Sequence, residues 1–223
     1  MIISIGMQCT NAMFKRTCES GPTMPFDWMM SHPRFVLRML ELLLEERMDV
    51  RELVEKHFFA CDQRTAIFDE KNEHFKTIFD GIALLNTKYD VVFPHDHFVD
   101  ASTTDKYIRR FERLKEAILH PTECLQFIYT SPSSSDKGNF LIDGRIIIPE
   151  AYADLNKIFH LIGKYNKDFF MFVFDAIKKE DRGLLDPRIV LVPLNACSQW
   201  SELLPQMQAI VGSVTGSDAN TPS

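Results

Sequence analysis

Apolar residues arrive along this chain in two rhythms. Four short runs, "IISI", "CLQFIYTS", "FFMFVFDA" and "RIVLVPL", are almost unbroken by polar positions. Runs of that kind predict strands buried on both faces, as in a parallel sheet covered by helices on either side. Elsewhere the apolar positions recur every third or fourth residue, in "RFVLRMLELLLEER", "TTDKYIRRFERLKEAILHP", "EAYADLNKIFHLIGKYN" and "SQWSELLPQMQAIVGSV". These predict amphipathic helices. The first strand must end at Gly6, and the stretch from Cys9 to Cys18 has helical spacing with Ala12, Met13 and Phe14 as its apolar face.

Breakers divide these elements. "ESGPTMPFDWMMSHP" carries Gly21, Pro22, Pro25 and Pro33 and reads as a loop, with Ser31 as N-cap of the next helix and Pro33 in its first turn. "RELVEKHFF" predicts a helix and "YDVVFPHDHF" a short strand running into a loop. The helix of "TTDKYIRRFERLKEAILHP" starts at Thr104 or Asp105 and stops before Pro121, and Asp143-Gly144 in "FLIDGRIII" signals a small hairpin. The expected fold class is α/β: a Rossmann-like, mostly parallel sheet with "IISI" as a central strand, flanking helices and a helical insertion over about residues 30–120. One domain spans 1–214, and 215–223 has the composition of a disordered tail or linker. No internal repeat is visible.

Composition narrows the classes of function. The 223 residues are 45% hydrophobic, enough for a sizeable core, and carry a net charge of −6. No global basic field exists to hold nucleic acid or an anionic membrane, so neither is an expected partner, and an anionic ligand must be met by a local cluster of Lys and Arg. The five cysteines are odd in number, scattered and without CxxC spacing. That argues against a zinc site or disulfide framework and for a reducing compartment. No apolar run reaches the ~18 residues of a membrane span, and the expected location is the cytoplasm.

Two constellations carry chemistry. Cys9 follows a glycine turn at the start of a helix, where the macrodipole lowers a thiol's pKa; His95 or His97 could take its proton, with Asp96 or Asp27 orienting the ring. Against this, buried parallel strands do not suit a papain-like antiparallel barrel, no Asn or Gln stands out as third member, and a small buried Cys packing a helix is the bland alternative. The second constellation suits transfer from an activated sugar. In an open α/β sheet, anions bind where strands end and helices begin, which here is the loop of Gly6, Met7 and Gln8. Lys106, Arg109, Arg110 and Arg113 recur at helical spacing and could neutralise a diphosphate, or be a solvated face balanced by Glu112 and Glu116. Thr130 and Ser131 end a buried strand and offer hydroxyls to phosphate, and His95 or Asp96 would deprotonate the acceptor. Trp28, Asp27 and His97 are candidates for the acceptor or sugar, although Phe26 and Trp28 could equally anchor the core. No Asp-x-Asp ends a strand, Asp175 is a single carboxylate, and adjacent His95, Asp96 and His97 rarely converge on one ion, so no metal or other cofactor is expected beyond the nucleotide-sugar co-substrate.

Over about the first 130 residues, Ser4, Gly6 and Cys9, then Pro25-Phe26-Asp27-Trp28, then His95-Asp96, then the Arg-rich helix before a strand resemble a bacterial and viral family labelled papain-like cysteine peptidase. The chain departs where family members often place an Arg after the strand; Tyr129, Thr130 and Ser131 stand there. The resemblance implies a cysteine peptidase or amidase using Cys9 and His95. It also implies a glycan-building context, with glycosyltransferase and sugar methyltransferase domains as neighbours. Weighing the parallel pattern against the peptidase label, the expected function is a metal-independent, inverting glycosyltransferase acting on a nucleotide sugar and a carbohydrate acceptor. A deoxyhexose donor such as L-rhamnose or fucose is the guess the glycan context suggests. The chain is short for two full Rossmann domains, so one module of a larger polypeptide is expected.

Overall fold

A computed structural model describes residues 1–6, 10–18, 21–29, 31–59, 61–68, 82–86, 88–89, 91–93, 101–130, 140–142, 145–147, 152–175, 184–193 and 200–216. All four apolar runs form strands of one sheet: β1 (Ile2–Ser4), β5 (Leu125–Thr130), β8 (Phe169–Asp175) and β9 (Val190–Pro193), in the order β1-β5-β8-β9. Every pairing in it is parallel, with Ile3 opposite Phe127, Phe127 opposite Met171, and Val173 opposite Leu191. The absence of polar alternation is explained by burial on both faces. Ile3, Phe127, Tyr129, Met171 and Val173 enter one core; Ile2, Ile128, Phe172 and Phe174 enter the other.

Helices cover the two faces unequally. α1 (Thr10–Thr17) and α6 (Trp200–Gly216) pack Phe14, Met207 and Val211 on the smaller core. α2 (Pro33–Leu40), α3 (Val50–Leu53), α4 (Ala101–Leu119) and α5 (Tyr152–Tyr165) supply the larger one. α2 and α3 each continue into a π-helical turn, Glu41–Glu45 and Val54–Phe58. The second of these delivers Phe58 into an aromatic cluster, with ring centroids 4.8 Å from Tyr107, 4.9 Å from Phe111 and 5.1 Å from Phe93.

Four expectations change. Among the described residues β1 ends the sheet instead of lying at its centre, because β5 is the one described strand paired with it. The insertion is not only helical: β2 (Cys61–Phe68), β3 (Ile82–Asn86) and β4 (Val91–Phe93) join the hairpin of β6 (Phe140–Ile142) and β7 (Arg145–Ile147) in an antiparallel sheet, order β4-β3-β2-β6-β7. "CDQRTAIF" lacks a two-residue alternation, so its backbone pairing had no sequence signal. The N-cap of α2 is His32, not Ser31: its Nδ1 accepts from the Phe35 amide at 3.3 Å while Nε2 donates to the Tyr89 carbonyl at 2.9 Å. α4 begins at Ala101, ahead of Thr104 and Asp105. Of the tail expected at 215–223, Thr215 and Gly216 close α6, and 217–223 lies outside the described residues.

Candidate functional site

The site is built where β1 hands over to α1 and where the next loop returns past it. Gly6 has φ +132°, and a Cβ there would lie 2.7 Å from the Ser31 carbonyl oxygen, so only glycine fits between β1 and residue 31. At its other end the loop touches the start of β1, since a Cβ on Gly21 would meet the Met1 side chain at 3.4 Å. The segment therefore follows β1 along its length. α1 lies on one face of the sheet and Phe26 enters the core of the other, so this loop carries the chain around the β1 edge.

Asn11 locks the strand ends. Its Nδ2 donates to the Ser4 hydroxyl and the Ile128 carbonyl, each at 3.2 Å, and to the Gly6 carbonyl, while its Oδ1 accepts from the Thr130 hydroxyl. All of these groups are buried, and a buried amide with this many partners fixes the geometry of β1, β5 and α1 together. One turn along α1, Lys15 pairs with Asp27 at 3.2 Å and also donates to the Pro22 carbonyl. Asp27 Oδ2 accepts the Met24 amide at 2.7 Å, closing a turn with Asp27 N on the Met24 carbonyl. Both charged groups are buried, at 4% exposure for Lys15 and 1% for Asp27, and Asp27 Oδ1 has no hydrogen-bond partner among the described residues.

Burial sets the electrostatics of this pair. Removal from water lowers the Lys15 pKa despite Asp27 beside it, and raises that of Asp27 despite Lys15 and the Met24 amide. Arg110 and Arg113 of α4 act on it from the far side: both disfavour the Lys15 ammonium, and Arg110 favours the Asp27 carboxylate. Arg113 is itself shifted down, first by burial and then by Arg110 and Arg109, with Asp27 the one opposing group. Lys15, Arg110 and Arg113 thus act on one another around a single buried carboxylate, and Arg109, exposed on α4, acts on Arg113. Outward along α4, the Lys106 and Arg110 head groups lie 5.0 and 4.7 Å from the Tyr107 ring centroid.

The structure brings Asp27, Arg110 and Arg113 together with Arg109 at their margin, and places Trp28 next in chain, half-buried, with the Arg16 guanidinium 5.4 Å from its ring centroid. Gly6 and Thr130 share Asn11 and lie at the strand ends, with the Thr130 hydroxyl committed to that network. Met7, Gln8, Cys9, His95, Asp96, His97 and Ser131 lie outside the described residues. Sequence reasoning missed Asn11, Lys15 and Ser31. The first two had a signal: polar side chains four apart on a short helix that otherwise packs Ala12 and Phe14. Ser31 had none, because the reason for its burial is the Gly6 contact. Among the described residues no three His, Cys, Asp or Glu gather as a metal site, and no helix is long and apolar enough to cross a membrane.

A parallel sheet with helices on both faces, and a first strand ended by glycine with Lys15, Arg110 and Arg113 acting on Asp27 beside it, define an α/β protein with a basic group of side chains at its first strand. The chain belongs to the family described as "Putative papain-like cysteine peptidase (DUF1796)", whose model matches residues 1–143. That match takes in β1, α1, the loop through Trp28 and the Arg-bearing α4, and stops before α5, β8 and β9. No curated protein and no solved structure matches the chain.

Proposed function

We propose that the protein transfers a sugar from a nucleoside diphosphate donor to a carbohydrate acceptor without a metal, inverting the anomeric centre. The observation that supports this reading is the gathering of Lys15, Arg110 and Arg113 around the buried Asp27 carboxylate in a chain of net charge −6. A surplus of positive charge held partly out of water is costly unless an anion joins it, and forked guanidinium groups match diphosphate oxygens in two-point contacts. In such a transfer the bond from the anomeric carbon to the diphosphate breaks as the acceptor oxygen bonds to that carbon. Arg110 and Arg113 would take up the charge on the departing diphosphate, and His95 or Asp96, in the segment between β4 and α4, would accept the acceptor proton.

The test is thermal stabilisation by UDP, GDP, dTDP and their sugar conjugates, with and without EDTA, on the wild-type chain and on Arg110→Ala/Arg113→Ala. A ligand at a hundred times its Kd adds about 2.7 kcal/mol of stability. Stabilisation that survives EDTA and disappears in the double variant is expected. No stabilisation by any of them would overturn the reading.

A second reading is favoured by the family description and by the place of Cys9 between β1 and α1: a cysteine peptidase or amidase with His95 as base. It requires that iodoacetamide label Cys9 ahead of Cys18, Cys61, Cys124 and Cys197, and that Cys9→Ala abolish hydrolysis. In the transferase, Cys9→Ala leaves turnover nearly intact.

A further inference from the structure

Away from β1, the end of the second π-helical turn and the connection from β3 to β4 are fastened together twice. The π turn closes with the Phe59 amide on the Val54 carbonyl at 2.9 Å, and the His57 and Phe58 carbonyls are left to the buried Asn86 side chain, which donates to each at 2.8 Å. Asn86 Oδ1 in turn accepts the Lys88 and Tyr89 amides, both at 3.1 Å. That fastening carries no titratable group. The second one does. His57 Nδ1 lies 2.9 Å from the Tyr89 hydroxyl and 3.1 Å from the Lys88 ammonium, which also sits 5.3 Å from the Tyr89 ring centroid. An ammonium can only donate, so Nδ1 accepts and the ring is neutral, with its proton on Nε2. Among the described residues no carboxylate pairs with Lys88, so the imidazole nitrogen and the Tyr89 ring are what hold its head group.

We propose that His57 is a proton-operated clasp: neutral, it holds Lys88 and Tyr89 against the π turn; protonated, it expels Lys88 and slackens the β3–β4 connection. A proton on Nδ1 removes the lone pair to which the ammonium donates and sets two positive charges at that 3.1 Å contact. The Tyr89 hydroxyl can rotate and accept instead, and Asn86 keeps its bonds, so the connection loosens without coming away. The other charged groups acting on the ring are Arg38 of α2, Glu46 just after the first π turn and Glu52 of α3. Arg38 is bonded to Glu46 at 2.6 Å and to Glu41 at 3.4 Å, and Glu52 to Lys56 at 2.8 Å. Burial, then Lys88 and Arg38, lowers the His57 pKa from its ordinary 6.5 against the two glutamates. The clasp is therefore fully closed above 6.5 and is lost as pH falls through the folded value. It acts on the start of β4, a strand that ends two positions before His95, and it holds whichever reaction the protein performs.

The experiment follows the labelled imidazole rings of the whole chain by NMR through a pH titration, in wild type, Lys88→Met and His57→Gln. The His57 signal is the one missing from His57→Gln. It is expected to show the Nε2–H tautomer at high pH, to titrate below 6.5 in wild type, and to move towards 6.5 in Lys88→Met, where one opposing cation is gone. Hydrogen exchange reads the mechanical half. The rate over residues 86–89 in wild type, divided by that in His57→Gln at the same pH, is free of the intrinsic pH dependence of exchange and is expected to rise as pH falls through the His57 midpoint. His57→Asn is the second reference, should the first fail to fold. A wild-type midpoint at or above 6.5, a midpoint that Lys88→Met leaves in place, or an exchange ratio flat across the titration would each overturn the clasp.

Discussion

Two aspartates in this molecule hold a basic partner and respond in opposite ways. Asp186, just ahead of β9, accepts Nε of Arg188 at 2.9 Å on one oxygen and NH2 at 2.8 Å on the other, takes the Arg188 amide at 2.9 Å, and has His160 at 3.5 Å. Its carboxyl is held down to about 2, chiefly by the Arg188 side chain and then by the Arg188 amide. Asp27 has Lys15 at 3.2 Å and the Met24 amide at 2.7 Å, yet its carboxyl is pushed up by burial. The partners differ in number and so does water. Arg188 gives Asp186 three hydrogen bonds and is 66% exposed, with Asp186 at 11%, so solvent shares the cost of charge there, whereas Lys15 and Asp27, at 5% and 2%, share theirs with a core. A buried pair of that kind contributes little stability over an apolar pair. Its retention beside the site is accounted for by what it orients: α1, the loop carrying Trp28, and the field seen by Arg110 and Arg113.

The largest effect should come from splitting the buried pair. Lys15→Met leaves Asp27 charged, buried and supported by the Met24 amide and the more distant Arg110, and should cost about 3–5 kcal/mol in urea denaturation. Lys15→Met/Asp27→Leu should recover most of that loss, because the desolvation of both charges disappears together. A cost below about 1 kcal/mol for the single change would mean that Asp27 is not charged in the folded protein, or that solvent reaches it.

The two halves of this comparison were unequally legible in the sequence. The four parallel strands were visible because burial on both faces leaves a mark, an unbroken apolar run. The Arg face of α4 was visible through its spacing. What joined them was not. Asp27 was visible as an acid between two aromatics, and Lys15 as one of two polar positions four apart on a short helix, but nothing in the sequence joined the two across twelve positions. The place of β1 at the end of the sheet, and the antiparallel sheet of β2, β3 and β4, depend on backbone pairing between distant segments, and pairing of that kind leaves no periodicity behind. The Asp186–Arg188 turn is local, two residues apart, and could have been read from "DPR" alone.

The acid range separates the two aspartates by sign. Asp27, with its pKa raised in the folded state, makes a contribution fully present below the ordinary carboxyl value of 3.8 and lost as pH rises through the folded value. Asp186, with its pKa lowered, makes one fully present above 3.8 and lost as pH falls towards about 2. Urea melts between those limits should therefore give opposite slopes. The stability of wild type relative to Asp27→Asn should fall as pH climbs above 3.8, and that of wild type relative to Asp186→Asn should fall as pH drops below it. Slopes of the same sign would mean that one of the two environments is misassigned.

The smallest effect belongs to Arg188→Gln at neutral pH. The guanidinium is mostly in solvent, it lies over the Phe159 ring at 4.8 Å, and the Asp186 turn keeps its other bonds, the Arg188 amide and the Asn156 side chain that accepts from Asp186 N at 2.8 Å. The melting temperature at pH 7 should scarcely move. The pH profile should move, because the Arg188 side chain is the first cause of the lowered Asp186 value: the loss of stability on acidification below 3.8 should be smaller and end closer to 3.8 in the variant than in wild type. A large drop at pH 7 would show that the surface pair organises the approach to β9 as the buried pair organises the loop beside β1, and the contrast between the two aspartates would then be one of solvent alone and not of structural role.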